Sequence, residues 1–333
     1  MSSEVNEKSS IFEEMQKDVY NSSIPDSEKQ KILTNILKLK DQKINIMITG
    51  ATGCGKSSTI NALFSTEVAK VGVGVDPETL EITKYELDNL ILWDSPGLGD
   101  GTEADNRHSK NIIKKLNEVD KNGNALIDLV LVILDGSTRD LGTSYELINQ
   151  VIIPNLGKDK KDRILVAINQ CDVAMKGRYW DYKNNKPEPK LLEFLDDKVD
   201  SVRKRIKEGT GVDIEPIYFS AGFKEAGEEQ RPYNLSKLLY FIIQHTPKEK
   251  RLVYLDNISS DDDMWKDNDD LKDYSTEIKM SFIDTVSDCA TNGADIGGDI
   301  GSIFGGTGEK IGRAAGTVVG AAVGVVKAIF SKW

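Results

Sequence analysis

Apolar positions along the chain fall into three patterns. Over residues 5–41 they recur at helical intervals, in two stretches separated by Ser22-Ser23-Ile24-Pro25-Asp26. In the second stretch Ile32, Leu33, Ile36, Leu37 and Leu39 read as one face, with lysines on the other. Asp26-Ser27 is the expected N-cap of that helix. From residue 44 to about 247, strand-like runs alternate with helical stretches, which predicts a parallel α/β sheet. Strands are expected at 44–49, 81–87, 90–94, 127–134, 163–169 and 215–219, and helices at 56–64, 105–118, 142–152, 189–208 and 235–245. The runs Leu129 to Leu134 and Ile164 to Ile168 are continuously apolar, as strands covered on both faces should be. Only Asp88-Asn89 separates the second and third strands, so these two are expected to form an antiparallel hairpin at one sheet edge. Beyond Pro247 the pattern lapses. Residues 256–273 hold eight Asp against two Lys, which reads as a solvated linker. The chain thus divides into an N-terminal helical extension (1–41), an α/β domain (42–247), an acidic linker (248–274) and a Gly-rich helical tail (275–333).

Composition narrows the setting. Of 333 residues, 39% are hydrophobic and 29% charged, enough for a soluble domain with a proper core. A formal charge of −11 argues against a general affinity for nucleic-acid backbones, which calls for clustered Lys and Arg. The first fifteen residues have neither a basic flank nor an apolar stretch, so no secretory signal is visible. Cys54, Cys171 and Cys289 show neither metal-ligand spacing nor an even-numbered disulfide framework. A reducing, cytoplasmic setting is the expectation.

The chemistry sits at strand ends. Gly50-Ala51-Thr52-Gly53-Cys54-Gly55-Lys56-Ser57, followed by Ser58, fits GxxxxGKS between a strand-like run and a helical one. Gly50 and Gly55 let the backbone turn its N–H groups inward toward phosphate oxygens, and the helix N-terminus adds partial positive charge. Lys56 is expected to reach the β and γ phosphates, and the Ser57 hydroxyl to ligate Mg²⁺. Asp94-Ser95-Pro96-Gly97 matches DxxG, with the Asp94 carboxylate for the Mg²⁺ shell and the Gly97 N–H for a γ-phosphate. Asn169-Gln170-Cys171-Asp172 resembles NKxD; the carboxylate can accept two bonds from guanine, and Asn169 would tie this loop to the phosphate loop. Ser220-Ala221-Gly222 follows a strand where a backbone N–H would meet guanine O6. Thr79, after the stretch Val71 to Glu78, is the candidate switch threonine for Mg²⁺ and the γ-phosphate, with Thr83 the runner-up.

Together these segments resemble the Era-like GTPases of the translation-factor class, and most nearly the predicted prophage-associated branch. In that branch Gln often replaces the Lys of the base motif, and a Trp-containing insertion follows, here Arg178-Tyr179-Trp180-Asp181. The resemblance covers about residues 42–247. It implies a Ras-like fold with a mostly parallel six-stranded sheet, GTP and Mg²⁺ as ligands, hydrolysis to GDP and phosphate, and by analogy a ribosome or RNA partner. Two departures stand out. Gln170 takes the place of a lysine whose stem packs over the base, which points to lower nucleotide affinity. Leu98 stands where Ras-like proteins place a water-orienting Gln, so intrinsic turnover should be slow unless Asp100, Glu103, K⁺, a partner or dimerisation supplies the group. His108 reads as a solvated helix residue and His245 as the end of a helix.

In the tail, glycines 293, 297, 301 and 305 recur every four residues, and the series resumes at 308, 312, 316, 320 and 324. On a helix this makes a stripe along which another helix can pack closely. Ala314 to Phe330 is apolar apart from Thr317 and Lys327, about 25 Å of helix against a bilayer core of about 30 Å. Homo-oligomer packing through 293–333, peripheral membrane association, and a flexible tail all stand as readings.

Overall fold

The computed structural model describes residues 11–21, 25–64, 81–97, 101–225 and 228–291. The chain divides into two compact units, one of residues 1–43, 248–256 and 275–333, the other of 44–247 and 257–274.

In the first unit, α1 (Ile11–Asn21) and α2 (Asp26–Lys40) each bury one stripe. Phe12, Met15 and Val19 line one, and Leu33, Ile36 and Leu39 the other, at the three-to-four-residue spacing of an apolar helix face. Leu37 departs from the expected face and lies half exposed. The expected cap is also corrected. Asp26 is already helical, Pro25 precedes it, and no side chain caps the end. Pro25 sits at φ −56°, within its fixed range. The turns at Lys248–Asp256 bury Leu252 to Leu255.

The second unit is built on a six-stranded sheet. Its strands are β1 (Ile44–Gly50), then, after α3 (Lys56–Phe64), β2 (Thr83–Leu87) and β3 (Leu90–Asp94). After α4 (Thr102–Leu116) come β4 (Leu129–Asp135), α5 (Gly142–Glu146) and β5 (Ile164–Asn169). A small hairpin of β6 (Trp180–Asp181) and β7 (Lys186–Pro187) precedes α6 (Pro189–Thr210). The sixth strand, β8 (Ile217–Tyr218), is followed by the hairpin β9 (Phe223–Glu225) and β10 (Glu228–Gln230), then α7 (Leu235–Gln244). Strand order is β2-β3-β1-β4-β5-β8. All neighbours are parallel except β2 and β3, which pair antiparallel across Asp88-Asn89, as the two-residue gap predicts. Asp88 takes φ +48° at that turn.

Both faces of the sheet are covered. Val130, Val132 and Leu134 pack with α4 and α6 residues such as Ile112, Leu116, Leu195 and Ile206. The alternate side chains Leu129, Leu131 and Ile133 are equally buried. The predicted helix at 142–152 is α-helical only to Glu146 and widens into a π turn over Leu147–Ile152. Pro154, just beyond, has no N–H for the preceding turn.

The acidic segment is not a solvated linker. Over 257–274 Trp265 is buried and its Nε1 donates to the Ser259 carbonyl at 3.0 Å. Asp267 and Asp269 pair with Arg231 and Lys237. The first unit takes up again in α8 (Tyr274–Thr291), where Ile278 and Phe282 are buried. No described helix is long and apolar enough to cross a membrane. The glycine series from 293 lies outside the described residues.

Candidate nucleotide site

Parallel pairing puts the carboxyl ends of β1, β3, β4, β5 and β8 on one edge of the sheet, where the phosphate loop, DxxG, the NKxD-like run and Ser220-Ala221-Gly222 all follow strands. Gly50 ends β1 and Lys56 opens α3, so the loop between them faces a helix N-terminus. Gly55 sits at φ +88°, and a side chain there would collide with Asn169 Nδ2. Lys56 Nζ folds back onto the loop, donating to the carbonyls of Gly50 at 3.3 Å and Ala51 at 3.2 Å. Thr52 and Gly53 are exposed, whereas Ala51, Ser57 and Ser58 are half-buried. Cys54 is fully buried, and burial pushes its thiol up to about 11 against the pull of Lys56. It is therefore an inert thiol at neutral pH.

Asp94 is 1% exposed, and neither carboxylate oxygen has a hydrogen-bond partner among the described residues. The buried Thr49 hydroxyl is likewise unpartnered. Burial raises the Asp94 carboxyl from 3.8 to about 6, although Lys56 draws it down. An unpaired buried carboxylate is costly, and a hard divalent cation in the Ser57–Asp94 region would offset that cost. The residues present therefore fit Mg²⁺. Thr83 lies opposite Asp94 in the β2–β3 register, but it is exposed and its hydroxyl turns to the Glu81 carbonyl at 3.5 Å. Thr79, Leu98 and Asp100 lie outside the described residues. Glu103 is exposed in the first turn of α4.

Gly97 lies against the phosphate loop so closely that a Cβ would collide with the Thr52 backbone. Its carbonyl faces His108 Nδ1 at 3.1 Å. This corrects the reading of His108 as a solvated residue. The ring is 2% exposed and Nε2 has no hydrogen-bond partner among the described residues. The signal was in the spacing: His108, Ile112 and Leu116 are the buried residues of α4, each four apart. His245 does end a helix, at the C-cap of α7.

The base-motif loops are joined to the phosphate loop by one side chain. Asn169 Nδ2 donates to the Cys54 carbonyl at 2.9 Å, and Asn169 Oδ1 accepts from the Ala221 N–H at 3.0 Å. Gln170, in the left-handed region at φ +60°, reaches the Gly53 carbonyl through Nε2 at 2.9 Å. The residue that departs from NKxD thus fastens the same two loops. Cys171 N–H donates to the Phe219 carbonyl at 3.2 Å, which brings Asp172 alongside Ser220 and Ala221. All three of these residues are buried, with Asp172 6% exposed.

Residues 45–170, from β1 to this loop, match the family described as 50S ribosome-binding GTPase. Over this stretch the chain carries a P-loop GTPase domain. The uncharacterized protein YkfA of Escherichia coli K12 is 28% identical over 155 residues, 45% of this chain and 50% of that protein. Translocase of chloroplast 125 from Physcomitrium patens is 35% identical over 108 residues, 31% of this chain and 9% of that protein. The chain spans half or less of the length of these relatives. Among solved structures, Toc33 from Arabidopsis thaliana with Mg²⁺ and GMPPNP is similar at 18% identity, TM-score 0.40, over 62% of this chain and 82% of that one. Era with MgGDPNP and a 16S ribosomal RNA fragment is similar at 20% identity, TM-score 0.40, over 62% and 58%.

Proposed function

We propose that the chain is a guanine-nucleotide switch that binds GTP and GDP with Mg²⁺ and hydrolyses GTP to GDP and phosphate. The observation that carries this is the pair of hydrogen bonds made by the Asn169 carboxamide, which hold the phosphate loop and the Ala221 loop in one register. A triphosphate gripped by the loop amides of 51–58 and Lys56 then presents its base to Asp172, whose carboxylate can accept from guanine N1–H and its amino group, while the Ala221 N–H, bonded to Asn169 Oδ1, reaches guanine O6 as a shared donor. Gly97 offers its N–H to a γ-phosphate, and Thr79 remains the candidate that closes over it. Mg²⁺, when bound, supplies charge neutralisation between the phosphates; Ser57 and, through water, Asp94 are the residues to hold it. An Era-type affiliation rests on the motifs, and a ribosome or RNA partner only on analogy.

Single-turnover release of phosphate from GTP, with and without K⁺, tests the activity. Slow release from GTP and none from ATP is expected. No release from GTP under any condition would reduce the chain to a binding module. The four-residue glycine period favours a second role for 293–333, in self-assembly or at a membrane surface. Co-sedimentation of the full chain and of a form ending at residue 290 with liposomes, under GDP and a GTP analogue, tests it. Neither lipid binding nor nucleotide-dependent assembly would remove that role.

A further inference from the structure

We propose that the acidic segment 257–270 is a brace for the base-reading loop, with Asn234 and Asp267 as residues that position Ser220 and Ala221. The inference rests on the guanine site proposed above.

β8 is a two-residue edge strand, paired with β5 at Ile217 and Tyr218, with Phe219 bonded further to the Ile168 carbonyl and the Cys171 N–H. The loop that follows it is held on the β5 side by the bond of the Ala221 N–H to Asn169 Oδ1, and it has a second support on the other side. That support begins at Tyr233. It exchanges both backbone hydrogen bonds with Ser220, each 2.9 Å. The next residue, Asn234, is fully buried and left-handed at φ +57°, a conformation Asn tolerates better than most residues. Both ends of its side chain are used. Nδ2 donates to the Tyr218 carbonyl at 3.1 Å, and Oδ1 accepts from the Asp269 N–H at 2.9 Å. Its own N–H donates to the Asp267 carbonyl at 2.8 Å.

The acidic segment is in turn pinned down. The Asp267 carboxylate accepts from Arg231 Nε at 2.9 Å and from Asn185 Nδ2 at 2.7 Å. Asn185 also donates to the carbonyls of Arg231 and Pro232, at 3.0 and 3.1 Å, so the insertion after the base motif joins the same network. Asp269 and Lys237 form a part-buried pair at 2.7 Å, and the Tyr274 hydroxyl donates to Asp269 at 2.9 Å. The Ser220–Tyr233 pair, the peptide link to Asn234 and the bonds of Asn234 thus lead from Ser220 to Asp267 and Asp269. Asn234, buried and with both ends of its side chain bonded, fixes a single geometry rather than merely adding cohesion. Here the geometry fixed is the separation between Ala221 and Asp172.

Asn234→Gly keeps the left-handed backbone available and removes both side-chain bonds. Affinities of this variant for GDP and for a non-hydrolysable GTP analogue should both fall about tenfold, since the γ-phosphate is not involved. The preference for GDP over ADP should shrink in proportion. Arg231→Ala, at a half-exposed side chain, should lose a smaller factor in the same ratio and serves if Asn234→Gly does not fold. Melting temperature is measured alongside, and binding is read well below it. Unchanged GDP affinity and unchanged GDP-to-ADP preference in a folded variant, with only the melting temperature lowered, would overturn the proposal. Failure of the wild-type chain to prefer guanine nucleotides would instead count against the proposed function.

Discussion

Asp94 should make the nucleotide-free protein more stable once its charge is removed, and the metal-bound protein less competent. Raising the carboxyl from 3.8 to about 6 by burial corresponds to about 3 kcal/mol against the charged form at neutral pH. The sign follows from proton counts. Between pH 3.8 and about 6 the folded protein holds the proton that the unfolded chain has released, so this group's contribution to stability falls as pH rises through that window. Above it the penalty is constant. Asp94→Asn keeps the shape and cannot ionise, so subtracting the variant from the wild type isolates this one group among the 54 acidic residues. In EDTA at pH 8 the variant should melt several degrees higher than the wild type, taking about 2–4 °C per kcal/mol for a unit of this size. At pH 4.5 most of that difference should vanish. With Mg²⁺ and a GTP analogue the order should reverse, because the carboxamide offers no charge to the cation. A variant no more stable than wild type at pH 8 would refute the reasoning that Asp94 is held charged, buried and unpaired in wait for a cation.

Three further substitutions probe separate parts of the site. Lys56→Ala should abolish tight triphosphate binding, with circular dichroism unchanged, because among the described residues Nζ hydrogen-bonds only to the loop carbonyls of Gly50 and Ala51. Asp172→Asn should shift preference from GTP toward xanthosine triphosphate, whose altered base edge matches a carboxamide; full retention of GTP affinity would count against the base assignment. His108→Ala removes the bond to the Gly97 carbonyl and should weaken a GTP analogue several-fold while sparing GDP, measured by competition. Equal losses for both nucleotides would make His108 a packing residue alone.

Much of the α/β unit was legible in the chain because its signals are local. Leu129 to Leu134 and Ile164 to Ile168 had no polar face to offer and became central strands. Asp88-Asn89 left room only for a hairpin. Asn169 was expected to tie the base loop to the phosphate loop, and its bond to the Cys54 carbonyl does so. What escaped depends on contacts distant in sequence. His108 has the polar neighbours Arg107, Ser109 and Lys110, which masked its place on the stripe with Ile112 and Leu116. Eight aspartates suggested solvent around 256–273, yet Arg231 and Lys237 had already supplied partners from another part of the fold. Trp265, the one aromatic in that run, was the readable hint that the segment had somewhere to bury itself. Gln170 looked like a lost base contact, and its reach to Gly53 becomes visible only when the two loops are brought together.

Calorimetric titration of the full chain with GDP and with ADP, in Mg²⁺, tests the central claim most directly. The account predicts saturable one-to-one binding of GDP and binding of ADP at least a hundredfold weaker, the loss expected when the Asp172 carboxylate meets a base edge without the N1–H and amino pair of guanine. Equal affinities, or a preference for ADP, would contradict it.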